Sequence, residues 1–126
     1  MKDNKVYIDL IISACKKISE YIEGLDQAAF LKRSLVQSAV IMQLQVAGEE
    51  AKKLDEQTKS QIDVPWKMIV GLRNIIAHEY FLLEVQTIWK IASADIPALE
   101  QKLHEYLQTQ GTSYVPPFGN TSPLMD

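Results

Sequence analysis

One ten-residue segment carries most of the chemistry that this sequence offers. Between positions 71 and 80 it reads GLRNIIAHEY, which combines a fixed cation, an amide, a titratable base and a phenol. The candidate site residues are therefore Arg73, Asn74, His78 and Tyr80. Histidine can move a proton near neutral pH, and arginine can bind a phosphate through two parallel N–H groups. Both are needed when an RNA 2′-hydroxyl attacks the neighbouring phosphate, because a base removes the proton and a cation stabilises the developing charge.

Helical geometry constrains how these side chains can work together. At about 100° per residue, Asn74 and His78 lie about 40° apart on one face, whereas Arg73 and His78 lie about 140° apart. One straight helix therefore cannot easily aim both Arg73 and His78 at one phosphate. Either the helix unwinds before His78, or a second copy of the chain completes the site. The C-terminal end of a helix would also stabilise the protonated form of His78.

Other signatures of catalysis are absent from the sequence. It has no CxxC or HExxH motif, no phosphate-binding glycine loop and no GxSxG elbow. One cysteine and two histidines cannot build a usual zinc site without carboxylates, so we expect neither a metal nor another cofactor. His104 is predicted to be an inert surface residue, and Cys15 a small core or interface residue. Trp66 and Trp89 fall on apolar faces and are predicted to anchor the core.

Length and charge suit a single globular domain. The chain has 126 residues, which is typical of one domain with its own core. Its net charge of −3 does not indicate the basic face that nucleic-acid-binding proteins usually carry. The charged N-terminus does not resemble a secretion signal, and no apolar stretch approaches the ~20 residues of a membrane span. A single cysteine allows no intramolecular disulfide. We therefore expect a cytoplasmic protein.

Apolar residues recur at steps of three and four, which predicts an all-α antiparallel bundle of four or five helices. The second helix should start after the cap Asp26 and run unusually long, with a bend near its start or at Gly48. Residues 58–63 should form a connection, and Asp63 or Val64 should cap the third helix. The predicted helices span about residues 4–23, 27–57, 65 to 78 or 80, and 84–94, and after a break or kink at Asp95-Ile96-Pro97 the pattern resumes to about residue 110. Residues 1–110 would form the domain, and the proline-containing residues 111–126 a mobile tail.

The segment from Arg73 to Tyr80 resembles the Arg-x4-His motif of HEPN ribonucleases, in the Arg-Asn-x3-His-x-Tyr form of HepT-like proteins. Further stretches are similar to the same family and occur in the same order. They are YIEG at 21–24, GEEAKKL at 48–54, VPW at 64–66 leading into GLRN at 71–74, and residues 85–89 followed by IPAL at 96–99. The resemblance covers roughly residues 5–107, and the motif itself is complete.

The resemblance implies a HEPN-type helical bundle that forms a homodimer, in which two copies of the motif meet in one cleft. It implies a metal-independent endoribonuclease that leaves a cyclic phosphate, with Arg73 and His78 as the catalytic pair and Asn74 as the orienting residue. HepT-like toxins are typically paired with an MNT-type nucleotidyltransferase antitoxin. That antitoxin uses ATP to transfer AMP to the tyrosine two places after the histidine, which is Tyr80 here. The added bulk and negative charge would obstruct the entry of RNA.

Two other interpretations of the motif stay open at this point. In the first, the chain is a non-catalytic dimeric module, and Arg73 and His78 bind a nucleotide or the nucleotidyltransferase itself. In the second, the motif is structural, because arginine, asparagine and histidine near a helix end often cap carbonyl groups or pair with a carboxylate. Fold alone does not decide between these interpretations.

Overall fold

A computed structural model describes residues 3–79 and 82–110, and that part of the chain is helical without a β-strand. The all-α prediction is therefore confirmed. Short and long helices alternate in the first half of the chain, and the last two helices join through a π-helical turn. The helices are α1 (Asn4–Ile22), α2 (Gln27–Leu31), α3 (Ser34–Lys52), α4 (Glu56–Ser60), α5 (Trp66–His78), α6 (Val85–Lys90) and α7 (Ile96–Thr109), with the π turn at Ile91–Asp95. The predicted tail, 111–126, lies outside the described residues.

Local capping signals set the ends of the first two helices, among them the predicted cap Asp26. Asp3 caps α1, since its side chain accepts a hydrogen bond from the backbone N–H of Lys5 at 2.8 Å. Gly24 follows α1 with a φ of +77°, a conformation that glycine adopts without steric cost. Asp26 caps α2 by accepting from the backbone N–H of Ala29 at 2.8 Å. Short-range capping therefore fixes the turn between α1 and α2.

The segment 27–57, which was predicted as one long second helix, is not a single helix. The chain leaves the helix at Lys32 and Arg33, near the predicted bend, and α3 then runs without interruption through Gly48 to Lys52. Asp55 starts the separate helix α4, because its carboxylate accepts the N–H of Thr58 at 2.7 Å.

The same Asp55 carboxylate accepts the side-chain amide of Asn4 at 2.7 Å, which joins the start of α1 to the region after α3. These hydrogen bonds, first that of the Thr58 N–H, lower the pKa of Asp55 below its usual value. Half of the polar stretch predicted as a connection is consequently helical.

The start of α5 differs from the prediction in its cap. Pro65 occupies the capping position, and neither Asp63 nor Val64 supplies a side-chain cap. Instead, the indole N–H of Trp66 donates to the carbonyl oxygens of Lys59 at 3.1 Å and Ile62 at 3.2 Å. Trp66 is buried, as predicted, and it fixes the first turn of α5 against the end of α4.

The predicted break at Asp95-Ile96-Pro97 is a change of helical pitch. Residues 91–95 form a π turn, and Pro97 lies in the first turn of α7, where its missing N–H costs little.

The centroid of the Trp89 ring lies 5.2 Å from that of the fully buried Phe30, so the predicted core role of Trp89 is confirmed. Within the described residues, no helix has the length and apolar character needed to cross a lipid bilayer.

Helix α1 packs against both α3 and α7, and α5 packs against α3. Fully buried side chains of α1, α2, α3, α6 and α7 fill the space between the helices: Ile8, Ile11, Cys15, Ile18, Phe30, Val40, Ile88 and Leu103. Burial raises the pKa of the Cys15 thiol to about 12, as expected for a core residue. The bundle therefore fixes α3, and α3 in turn positions α5.

The contact between α3 and α5 is unusually close at Gly48. A Cβ atom added there would lie 2.9 Å from Cγ of Arg73, closer still to its Cβ, and 3.2 Å from the carbonyl oxygen of Ile69. Only a residue without a side chain allows this approach. Gly48 therefore does not bend α3, as one alternative predicted, but lets α5 lie against it at the position of Arg73.

Replacing Gly48 tests this close contact. Gly48→Ala should lower the free energy of unfolding by about 1–3 kcal/mol through overpacking, although alanine favours a helix by up to ~1 kcal/mol. Gly71→Ala is the matched control on α5, since a Cβ there meets nothing within 4 Å. It should raise the free energy of unfolding by about 0.5–1 kcal/mol. Urea denaturation measures both, and a Gly48→Ala protein as stable as the wild type would contradict the packing argument.

Candidate active site

Arg73 lies in the middle of α5 and turns toward α3. Its Cβ and Cγ rest beside Gly48, and only 18% of its side chain is exposed. This placement carries the guanidinium to Glu49, the next residue on α3. Glu49 Oε1 contacts both Nε and Nη2 of Arg73. Arg73 is therefore held at its stem by helix packing and at its head by an ion pair.

Asn74 provides the second side-chain contact of the Arg73 guanidinium. Its side-chain oxygen Oδ1 accepts a hydrogen bond from Nη1 of Arg73 at 3.0 Å. Asn74 is exposed, so this bond forms at the rim of the site and not in the core. The predicted role of Asn74 in orienting the site stays a prediction, while its contact with Arg73 is part of the fold.

His78 is the last residue of α5 and is exposed. Within residues 3–79 and 82–110 it makes neither a hydrogen bond nor an ion pair, so its imidazole is accessible for proton transfer. The backbone of α5 stays helical up to His78, and it ends with the Glu79 N–H donating to the Ile75 carbonyl at 2.7 Å. The helix therefore does not unwind before His78, and in one chain Arg73 and His78 stay about 140° apart around the axis.

Glu49 is the functional candidate that sequence reasoning missed. It precedes Arg73 by 24 residues, and neither periodicity nor a local motif joins the two. The available signal was Gly48, since a glycine inside a run of good helix formers costs up to ~1 kcal/mol and often marks a close approach. The remaining predicted site residue, Tyr80, lies outside the described residues.

Large apolar side chains are exposed on the two helices that carry the site. On α3, Leu35 and Met42 are 83% and 58% exposed. On α5, Met68 and Ile75 are 71% and 38% exposed. The two members of each pair are seven residues apart and share one face of their helix. The two pairs therefore place exposed apolar side chains along one face of α3 and one face of α5.

The other histidine lies apart from this site. His104 contacts Glu100 on α7 at 3.3 Å, and it lines an open surface depression with Pro97, Gln101 and Glu105. No group of three His, Cys, Asp or Glu side chains in the described ranges could hold a metal ion. Neither Arg73 nor His78 lines this depression.

Comparisons with known proteins agree with the motif. The family described as "Ribonuclease HepT-like" matches residues 11–106. A candidate RNase of Caldanaerobacter subterraneus subsp. tengcongensis, TTE0752, is 32% identical over 111 residues, which cover 87% of this chain and 99% of that protein. A candidate RNase of Methanocaldococcus jannaschii, MJ1380, is 29% identical over 81% of this chain and 94% of its own. The "Probable ribonuclease HepT" of Thermococcus cleftensis is 30% identical over 82% of this chain and 96% of its own. No solved structure matches the chain.

Proposed function

We propose, because this chain belongs to the HepT-like ribonuclease family, that it is a toxin that cleaves RNA internally without a metal ion and is silenced by transfer of AMP to Tyr80. Membership of the family makes the chain a ribonuclease, with RNA as its substrate. The homodimer, the metal-independent mechanism and the nucleotidyltransferase antitoxin are further parts of the proposal.

The observation that carries the proposal is the state of the two motif side chains. Arg73 is fixed in place with its guanidinium bonded to the exposed Asn74, and His78 is exposed at the end of the same helix. In the proposed reaction, a neutral imidazole accepts the 2′-hydroxyl proton while the 2′-oxygen bonds to phosphorus. Arg73 donates hydrogen bonds to the phosphate oxygens as charge accumulates there. The bond from phosphorus to the 5′-oxygen breaks, that oxygen takes a proton from the imidazolium formed in the first step, and a 2′,3′-cyclic phosphate remains.

A second copy of the chain would bring the pair together. Because α5 is straight between Arg73 and His78, one protomer cannot aim both at one phosphate. The exposed apolar residues of α3 and α5 provide a surface for association, and the same two helices carry Arg73 and Glu49. A homodimer related by a two-fold axis would place the His78 of one protomer near the Arg73 of its partner.

Modification of Tyr80 would control the same cleft. Tyr80 follows His78 by two residues, so a group attached to its phenol oxygen would stand near the catalytic imidazole. The partner nucleotidyltransferase would join that oxygen to the α-phosphorus of ATP, with pyrophosphate as the leaving group and the phenol proton passed to solvent. The attached AMP adds bulk and negative charge, which would repel an incoming RNA phosphate. The chain itself would need no cofactor.

RNA cleavage by the purified protein tests the catalytic role of His78. The wild type should cut RNA in the presence of EDTA and leave 2′,3′-cyclic phosphate ends. His78→Ala should lower the cleavage rate by about 10²- to 10⁴-fold, the contribution typical of a general acid or base. His104→Ala is the matched control, because it removes an exposed histidine from α7, and its rate should equal that of the wild type.

Equal cleavage by the wild type and His78→Ala would contradict the catalytic assignment. Binding of RNA or a nucleotide that depends on His78 without any cleavage would favour the non-catalytic dimeric module instead.

Incubation with ATP and an MNT-type nucleotidyltransferase tests the proposed control. The wild type should gain the mass of AMP and lose RNA cleavage, because the added charge blocks the cleft. Tyr80→Phe should gain no mass and should remain active. Tyr106→Phe, which removes a phenol on α7, should be modified and silenced like the wild type. If Tyr80→Phe gained as much AMP as the wild type, the residue that accepts AMP would not be Tyr80.

A further inference from the structure

We infer that Glu49 is a positioning residue for RNA cleavage, which holds one edge of the Arg73 guanidinium so that its opposite end faces the RNA phosphate. The inference rests on the proposed function and assigns a role to a residue outside the motif. It starts from the contact between Glu49 Oε1 and two nitrogens of Arg73, Nε and Nη2.

The atoms involved decide which part of the guanidinium is free. Nε and Nη2 form the side edge of the planar group; Nε donates a hydrogen bond to Glu49 Oε1, and Nη2 is in ion-pair contact with the same oxygen. Asn74 Oδ1 accepts one N–H of Nη1 at 3.0 Å. A guanidinium has five N–H donors, so these contacts leave at least one donor on Nη1 and one on Nη2. Two donors on adjacent nitrogens can bind two oxygens of one phosphate.

Packing at Gly48 makes this orientation a property of the fold. The stem of Arg73 lies against the backbone of α3, which brings its head level with Glu49. The side chain is mostly buried, at 18% exposure, whereas Glu49 is 37% exposed. A flexible arginine would lose rotamer freedom when it bound RNA, but this one has lost it already. Glu49 thereby prepares Arg73 for the phosphate before the substrate arrives.

A competing role for Glu49 would be that of a brake which occupies Arg73 until RNA displaces it. A brake of this kind would accept hydrogen bonds from the Nη1 and Nη2 end, where the phosphate binds. Glu49 instead takes the side edge and leaves that end available. The neighbouring acid, Glu50, pairs with Lys53 at 3.2 Å on its own helix and provides a matched comparison.

Steady-state cleavage of a short RNA by the full-length protein tests the inference. Glu49→Gln should lower kcat about 10- to 100-fold with a smaller change in KM, because the guanidinium is misplaced in the transition state. Glu50→Gln should leave kcat unchanged. In an Arg73→Gln background, Glu49→Gln should cause no further loss, since residues that act as one unit are not additive. Matching urea midpoints and molecular masses would show that every variant keeps its fold and assembly.

A measurement of the Glu49–Arg73 contact itself distinguishes a failure of this inference from a failure of the proposed function. The chain has only two arginines, Arg33 and Arg73, so a ¹⁵N spectrum of the arginine side chains should show two Nε–H signals. The Arg73 signal should exchange slowly with water in the wild type and rapidly in Glu49→Gln, with Arg33 as the internal reference. If the wild type does not cut RNA, the proposed function fails and this spectrum alone decides whether Glu49 holds Arg73.

Three results would overturn the inference. One is an unchanged or increased kcat in Glu49→Gln, which would mean that Glu49 is neutral or a brake. Another is a loss of activity from Glu49→Gln in the Arg73→Gln background that equals its loss in the wild-type background. The third is an Arg73 Nε–H signal that is the same in the wild type and in Glu49→Gln.

Discussion

The close contact between α3 and α5 at Gly48 determines where the chemistry of this protein is located. Because Gly48 has no side chain, the stem of Arg73 can rest on the backbone of α3, and its guanidinium reaches Glu49 on the same helix. The packing of α5 against α3 therefore fixes the orientation of the Arg73 side chain before substrate binds. Since α1 packs against α3 and α7 packs against α1, the position of the guanidinium depends on the packing of the bundle around α3.

The straightness of α5 is the second constraint, and it separates the two motif side chains. Arg73 points into the contact with α3, whereas His78 is exposed at the end of the helix. Proton transfer and phosphate binding must nevertheless meet at one phosphorus atom. Under the proposed function, a dimer would meet this requirement most simply, and the exposed apolar residues of α3 and α5 would be available for that assembly.

Much of the fold could be predicted from local sequence, because local physics decides it. Apolar periodicity predicts the helices, Gly24 ends α1 through its positive φ, and Asp26 caps α2 through its own side chain. The start of α4 was missed although Asp55 caps it by the same kind of local contact, because the second helix was predicted to run on to residue 57. Residue type alone indicated Arg73 and His78 as candidates, whereas the contact of Glu49 with Arg73 lies between two helices and is not encoded by periodicity.

The most direct test of the account is cleavage by a mixed dimer of two inactive variants, Arg73→Gln and His78→Ala, purified through different tags. In a mixed dimer, one site can still combine the Arg73 of one protomer with the His78 of its partner. This mixed dimer should cut RNA at a rate well above that of either variant alone, because one complete site has been restored. A mixed dimer as inactive as its two parents would contradict the claim that the catalytic pair is shared between protomers.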